Sequence, residues 1–260
     1  MRHGILKVCF FMLAAVLAGC GNDKAEGISS SVQFEGYEYD CILELPDSLA
    51  LEGEGGRYVR VSGQGVLPVV ISGEQTESVR DSLMRLGGVA EIDRSSVLPI
   101  VTPGYKMTSL DPLKDAACST RYNQLTVTLV TPRLVVWRDY AYGYLCHSAH
   151  GMYTTTYINY SIPQKKIITL SDLFKAGYEK GLTDLLREKL KDEEVPLSVP
   201  LEEVGIPGDF EITENGIRFV YPLYEIAPYV EGEVMVDIAG YELSDLLREG
   251  VEDMYWSSPE

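Results

Sequence analysis

Apolar and polar positions change their period several times along the chain, and each change predicts an element. Alternation marks strands over Gln33–Leu45, Arg57–Val61 and Val66–Ile71. Val79, Leu83 and Leu86 then recur at helical spacing within Gln75–Leu86, and Gly87-Gly88 supplies the residues that most readily end a helix in the left-handed conformation. Pro99, Pro103, Gly104 and Pro112 break the pattern, so residues 97–118 are expected to be irregular. Leu125, Val127 and Leu129 alternate with Thr126 and Thr128 as a half-buried strand, which Thr131-Pro132 stops. Arg133–Leu145 and Tyr153–Ile162 read as the next two strands. Pro163-Gln164-Lys165 turns the chain into Ile167–Leu170.

Ser171 is a candidate cap for the short segment Asp172-Leu173-Phe174. Tyr178–Lys191 carries Leu182, Leu185, Leu186 and Leu190 on one face, which makes it the clearest helix in the sequence. Asp209–Thr213 and Ile217–Tyr221 flank Asn215-Gly216, a strong short hairpin signal because both residues tolerate positive φ. Glu233–Ile238 is a further strand, and Tyr241–Arg248 a last short helix stopped by Gly250. Hairpins with helices inserted between them, without strict strand-helix alternation, predict an α+β fold of antiparallel sheets in two lobes. The expected lobes are residues 32–118 and 119–250, with 251–260 as a tail.

The N-terminus follows a different rule. Arg2 and Lys7 precede the apolar run Val8–Ala18, which is too short to span a bilayer and closes on Leu17-Ala18-Gly19-Cys20. This is the pattern of a bacterial lipoprotein leader: residues 1–19 are removed, and Cys20 becomes the acylated first residue. Several acyl chains, palmitate among them, anchor a protein where one chain would be marginal. Residues 20–31 are small and polar and read as a flexible tether. The expected location is the cell envelope, at the outer membrane, with the folded part outside the cytoplasm.

Charge narrows the partners. The chain has 39 acidic against 22 basic residues, a formal net charge of −17, and loses two of the basic ones with the leader. Nucleic acid is excluded by the lack of a basic face, whereas a basic protein would be drawn in electrostatically. No Gly-rich phosphate loop is present, and no cofactor is implied. Among Cys41, Cys118 and Cys146 a single disulfide can form, and Cys118 with Cys146 is expected because each lies beside the end of a predicted strand. No Cys-x-x-Cys unit supports zinc, so no metal site is expected.

Once the leader is gone, imidazole chemistry rests on His147 and His150, both in the loop Cys146-His147-Ser148-Ala149-His150-Gly151. Ser148 or Cys146 would need a histidine oriented by a carboxylate, and neighbours so close in sequence seldom present that geometry. A structural loop is the expected reading, and no catalytic residue is assigned. Carboxylate runs such as Asp192-Glu193-Glu194 and Glu202-Glu203 read as solvated charge. Tyrosine stands out more, with 17 in the chain. Tyr140, Tyr142 and Tyr144 alternate and would share one face of a strand, while Tyr221, Tyr224 and Tyr229 form a second group. Tyrosines either cover half-buried sheet or serve as contact residues.

Three ordered motifs carry a resemblance. Ala149-His150-Gly151, then Ile168-Thr169-Leu170-Ser171-Asp172-Leu173-Phe174, then Tyr224-Glu225-Ile226-Ala227-Pro228-Tyr229 with Gly232, resemble an extracytoplasmic domain of unknown function. That domain is shared by the lysozyme-sensing anti-sigma factor RsiV and the deacetylase PdaC. The likeness spans about residues 120–248, with a weaker companion domain before it. It departs from the pattern at His147-Ser148, where the family commonly carries Gly-Gly. The resemblance implies a binding module without established catalytic residues, and it makes His150, Tyr224, Glu225 and Tyr229 the candidate binding residues. Recognition of a protein such as lysozyme, or of cell-wall glycan, is the function expected. An accessory or hydrolytic enzyme acting on peptidoglycan or another polysaccharide is the alternative.

Overall fold

The computed structural model describes residues 32–44, 58–71 and 118–256, with short pieces at 74–76, 79–81, 83, 92–93, 96–97 and 106–107. Cys20, the leader and the tether lie outside the described residues, as does most of the expected irregular stretch 97–118. The protein is α+β. Its strands are β1 (Gln33–Glu44), β2 (Tyr58–Ile71), β3 (Glu74–Gln75), β4 (Ile92–Asp93), β5 (Ser96–Val97), β6 (Lys106–Met107), β7 (Ser119–Val130), β8 (Leu134–Tyr144), β9 (Met152–Ser161), β10 (Lys166–Ile167), β11 (Asp209–Ile212), β12 (Gly216–Tyr221) and β13 (Val234–Ala239). Two compact units divide the chain: one takes residues up to Thr126 together with Asp139–Tyr153, and the other Val127–Arg138 with Thr154–Glu260. The division passes through β7, β8 and β9 rather than falling once between residues 118 and 119. These strands are long enough for each to contribute one stretch to either unit.

In the first unit, strands follow the order β6-β1-β2-β7-β8-β9. β1 and β2 are antiparallel along their whole length, from Phe34 opposite Pro68 to Glu44 opposite Tyr58. The two strand signals at 57–61 and 66–71 are one continuous strand, because Gly63 and Gly65 lie within the ladder instead of turning it. β2 pairs with β7 in parallel, Val59 beside Ser119 through Gly65 beside Leu125, where antiparallel neighbours were expected. A long connection between two strands permits parallel pairing, which a hairpin cannot give. Of the expected helix at 75–86, residues 79–81 and 83 are helical and Val79 and Leu83 are buried. Cys118 and Cys146 are disulfide-bonded, with Cα atoms 5.2 Å apart.

In the second unit the helix Glu179–Asp192 buries Leu182, Leu186 and Leu190, spaced four apart along one side. They enter one core with Phe210, Ile212, Phe219, Tyr221, Val236 and Ile238 from the three-stranded sheet β11-β12-β13. Each fully buried leucine contributes about 1.5–3 kcal/mol. The cap at the preceding short helix, Leu170–Leu173, is Thr169 and not Ser171. Asp172 accepts from both the Thr169 N–H (2.9 Å) and the Thr169 hydroxyl (2.8 Å), and Lys166 donates to it at 2.5 Å. These donors hold the Asp172 carboxyl below its ordinary range against the opposing effect of burial.

Gly216 is required for a reason the sequence pattern does not reveal. Neither Asn215 nor Gly216 has positive φ; the hairpin closes through Thr213 N–H to Gly216 O (2.9 Å). A Cβ on Gly216 would run into Ile238 O and come within 2.8 Å of Ala239 Cα, so β13 approaches too closely for any side chain. The expected helix 241–248 covers Gly240–Leu243 only. Gly250, at φ 80°, precedes a further helix, Val251–Tyr255, instead of ending the previous one. Residues 251–256 therefore belong to the packed unit and not to a tail: Trp256 Nε1 donates to Thr213 O (3.0 Å), and its ring lies over Gly240.

Strand β9 is secured in the second unit by side chains. Thr155 donates its N–H and its hydroxyl to the two oxygens of Glu233, both at 2.6 Å. Two residues on, and so on the same strand edge, the Tyr157 N–H donates to Asp209 Oδ1 (2.9 Å). Buried Asn159 donates to Phe210 O and accepts from the Ile212 N–H, each at 2.8 Å. Side chains thus satisfy an edge that would otherwise present unpaired backbone donors.

Candidate functional site

The segment between β12 and β13 is built from inward and outward residues. Ile226 and Ala227 are buried and fix the middle of the loop, helped by the Ser198 N–H donating to Ile226 O (2.7 Å). Tyr221, at the end of β12, donates its hydroxyl to Gly205 O (2.8 Å). Between these anchors the chain turns at Pro222, whose carbonyl accepts from the Glu225 N–H (3.1 Å). The turn places Tyr224 at φ 67°, a left-handed conformation that costs a residue bearing a Cβ about 1–2 kcal/mol. Beyond Pro228, Tyr229–Glu231 forms one 3-10 turn, and Gly232 leaves it at φ 74°, ψ −153°, a region that suits glycine alone.

The outward residues meet. Tyr224 is 53% exposed and its ring lies 5.6 Å from that of Tyr229, tilted by 33°. Val230 is 83% exposed. Glu225 is exposed beside Tyr224, and partial burial of its carboxyl raises its pKa. No lysine or arginine occurs between Arg218 and Arg248, whereas Glu225, Glu231, Glu233, Asp237, Glu242 and Asp245 do. The loop therefore offers two rings and an aliphatic side chain within an acidic stretch. Tyr224, Glu225 and Tyr229 are brought together in the second unit, and His150 belongs to the first.

His150 is exposed, with its Nδ1 2.9 Å from Gly151 O. His147, at φ 66°, helps the loop turn, as does the Ser148 N–H donating to Leu145 O (3.0 Å). The buried Cys146 N–H donates to the Ser119 hydroxyl at 3.0 Å. Among the described residues no three His, Cys, Asp or Glu side chains gather in a way that would hold a metal ion.

The first unit holds the other tyrosine group. Tyr140 lies between Tyr122 of β7, centroids 6.4 Å apart, and Tyr153 of β9, 5.7 Å apart. Tyr142 and Tyr144 follow Tyr140 on the same side of β8. Behind them, on the opposite face, Asn123 Nδ2 donates to Asp139 Oδ1 at 2.8 Å, and the two residues are 7% and 5% exposed. Burial pushes the Asp139 carboxyl up to about 7, only partly opposed by the Asn123 hydrogen bond. Asp209 in the second unit is pushed by burial to about 6 and is held lower by the N–H groups of Tyr157 and Phe210 and the Thr156 hydroxyl. Asp139 was legible in principle, as a carboxylate inside the strand-forming run 134–144. Asp209, Glu233 and Asn159 carry no local signal, since their partners are far away in sequence.

Taken with its mixed sheets and inserted helices, the arrangement defines an α+β protein that holds Tyr224 outward on the loop between β12 and β13. Comparison with known families agrees on the fold. Residues 171–239, which include the Tyr224–Tyr229 segment, match the family described as protein of unknown function (DUF3298). The match does not reach Ala149-His150-Gly151. A DUF3298 family member from Bacteroides fragilis NCTC 9343 has a similar solved structure, with TM-score 0.57 and 19% identity, covering 86% of this chain and 98% of that one. A DUF3298 family protein from Pseudomonas aeruginosa PAO1 is similar with TM-score 0.53 and 17% identity, covering 84% and 96%. No curated protein matches the chain. Among the described residues no helix is long and apolar enough to cross a membrane.

Proposed function

We propose that this protein is a lipid-anchored envelope binding module that docks a basic protein on the loop between β12 and β13, lysozyme being the first candidate. One observation carries the reading: a strained Tyr224 is held outward against Tyr229 on a loop whose exposed charges are Glu225 and Glu231. Exposed tyrosines held in place lose little entropy on contact, and they are enriched where interfaces concentrate their energy. Glu225 and Glu231 supply attraction at a distance and register on contact. Anchoring rests on the leader pattern ending at Cys20, and the choice of lysozyme on the resemblance of the three motifs.

The test is titration of lysozyme into the mature protein over a salt series. Binding that weakens steadily as salt rises, and that Tyr224→Ala weakens about tenfold or more, supports the reading. Absence of binding at low salt, or binding indifferent to both salt and Tyr224, removes it. Acylation is checked separately by mass spectrometry of the mature N-terminus, where an unmodified Cys20 would refute the anchor.

A further inference from the structure

The hairpin between β11 and β12 carries Asn215-Gly216, the one Asn-Gly step in the chain. The peptide group joining these two residues is held on one side only. The Asn215 carbonyl accepts from the Gly240 N–H at 2.8 Å. The Gly216 N–H, by contrast, makes no hydrogen bond among the described residues, although Gly216 is buried. A backbone donor left in that state is uncommon in a folded protein. The Asn215 side chain is exposed and likewise makes no hydrogen bond among the described residues. The other described asparagines are buried and tied down: Asn123 donates to Asp139, and Asn159 donates to Phe210 O and accepts from the Ile212 N–H.

This combination favours attack of the backbone on its own side chain. A hydrogen bond accepted by a peptide carbonyl polarises the whole group and makes its N–H more acidic. No acceptor holds that N–H, so once hydroxide has taken its proton the Gly216 nitrogen is free to attack Asn215 Cγ. Glycine brings no Cβ to crowd the five-membered ring that forms. The N–Cγ bond is made, the bond from Cγ to the side-chain nitrogen breaks, and that nitrogen leaves as ammonia. Water then opens the succinimide at either carbonyl. Opening at the side-chain carbonyl gives aspartate, and opening at the main-chain carbonyl gives isoaspartate, whose backbone runs through the former side chain and is longer by one methylene. In sum, asparagine and water become aspartate or isoaspartate and ammonia, with no other reactant.

We propose that Asn215 is a site of spontaneous deamidation, and that its isoaspartyl form releases the C-terminal helix Val251–Tyr255. In that form the carbonyl that holds the Gly240 N–H leaves the main chain and becomes a free carboxylate. Trp256, which ends the helix, packs at the same point. Its Nε1 donates to Thr213 O (3.0 Å), and a Cβ on Gly240 would lie 3.2 Å from its ring and 3.7 Å from Asn215 O. β13 leaves no slack for a longer backbone, since a Cβ on Gly216 would come within 2.8 Å of both Ala239 Cα and Gly240 N.

The test ages the full mature protein in warm, mildly alkaline buffer beside a free peptide of residues 211–218, with digestion and mass spectrometry at intervals. Exchange of the amide for an acid adds about 1 Da, and an isoaspartyl methyltransferase marks the branched product. Asn215 should convert at a rate within about tenfold of the peptide's, while Asn123 and Asn159 stay intact and Asn215→Gln abolishes the change. Conversion in the folded protein slower than that overturns the site. The aged isoaspartyl fraction, separated from unconverted protein by its added charge, should show red-shifted tryptophan emission and a lower thermal midpoint. Asn215→Asp has the same charge on an unaltered backbone and should keep both at wild-type values. Wild-type emission and midpoint in the isoaspartyl fraction, or an equal loss in Asn215→Asp, overturns the release of the helix.

Discussion

The two tyrosine groups are made of the same residue and solve opposite problems. In the first unit Tyr122, Tyr140 and Tyr153 stand on regular strands, where alternation alone aims them to one side at no backbone cost. In the second unit Tyr224 is aimed outward by a turn that holds it at φ 67°, a cost borne by the buried Ile226-Ala227 and by the hydrogen bonds around them. Strands give a broad and half-covered surface. The loop gives a small, exposed and acidic one. Position in the backbone, more than residue type, decides which kind of contact a tyrosine can make. The buried carboxylates of the two units differ as well, since Asp139 has a single amide donor and Asp209 has three donors.

The largest effect expected of this difference is on pH dependence. A carboxyl whose folded pKa lies above its unfolded value binds its proton more tightly when folded, so it stabilises the fold at low pH. That contribution is fully present below about pH 4 and is lost as pH rises through about 7 for Asp139 and about 6 for Asp209. Asp139→Asn should remove a slope worth on the order of 3–4 kcal/mol between pH 4 and 8, and Asp209→Asn a smaller one ending nearer pH 6. Urea denaturation over that range measures both. Equal total losses ending at the same pH, or changes of opposite sign, would break the comparison.

Next in size is the strut beneath the loop. Glu233→Ala leaves the Thr155 N–H and hydroxyl without their acceptor and should cost about 2–3 kcal/mol of stability, against well under 1 kcal/mol for exposed Glu231→Ala. Chemical denaturation separates the two. Tyr224→Ala should lose about tenfold in affinity for lysozyme, about 1.4 kcal/mol. On stability, Tyr224→Gly should exceed Tyr224→Ala by about 1 kcal/mol, because glycine accepts φ 67° without penalty. The smallest effect is Tyr144→Phe, which loses a 3.3 Å hydrogen bond near the surface and should change thermal stability by less than about 0.5 kcal/mol.

What was legible in the sequence depended on distance along the chain. The helix at 179–192 announced itself through leucines four apart, and β8 through a run of Val, Trp and Tyr, because these signals lie within one turn or one pleat. The face shared by Tyr140, Tyr142 and Tyr144 follows from alternation in the same way. Asn215-Gly216 gave the right hairpin for the wrong reason, since β13 and not the turn demands Gly216. Thr169 took the cap expected of Ser171 once Asp172 reached back to it.

Local period and side-chain chemistry determined the α+β character, the aromatic strands, the acidic charge and the lipoprotein leader pattern, because each is written in residues close together. Only the tertiary structure decided that β2 lies parallel to β7, that Asn159, Asp209 and Glu233 bind the edge of β9, that residues 251–256 close over Gly240, and that Tyr224 meets Tyr229. The physical reason is that hydrogen bonds and ring contacts are satisfied by whichever group the fold brings near, and most of these partners are separated by tens of residues. A chain's periodicity specifies which side of an element faces inward; it does not specify what waits there.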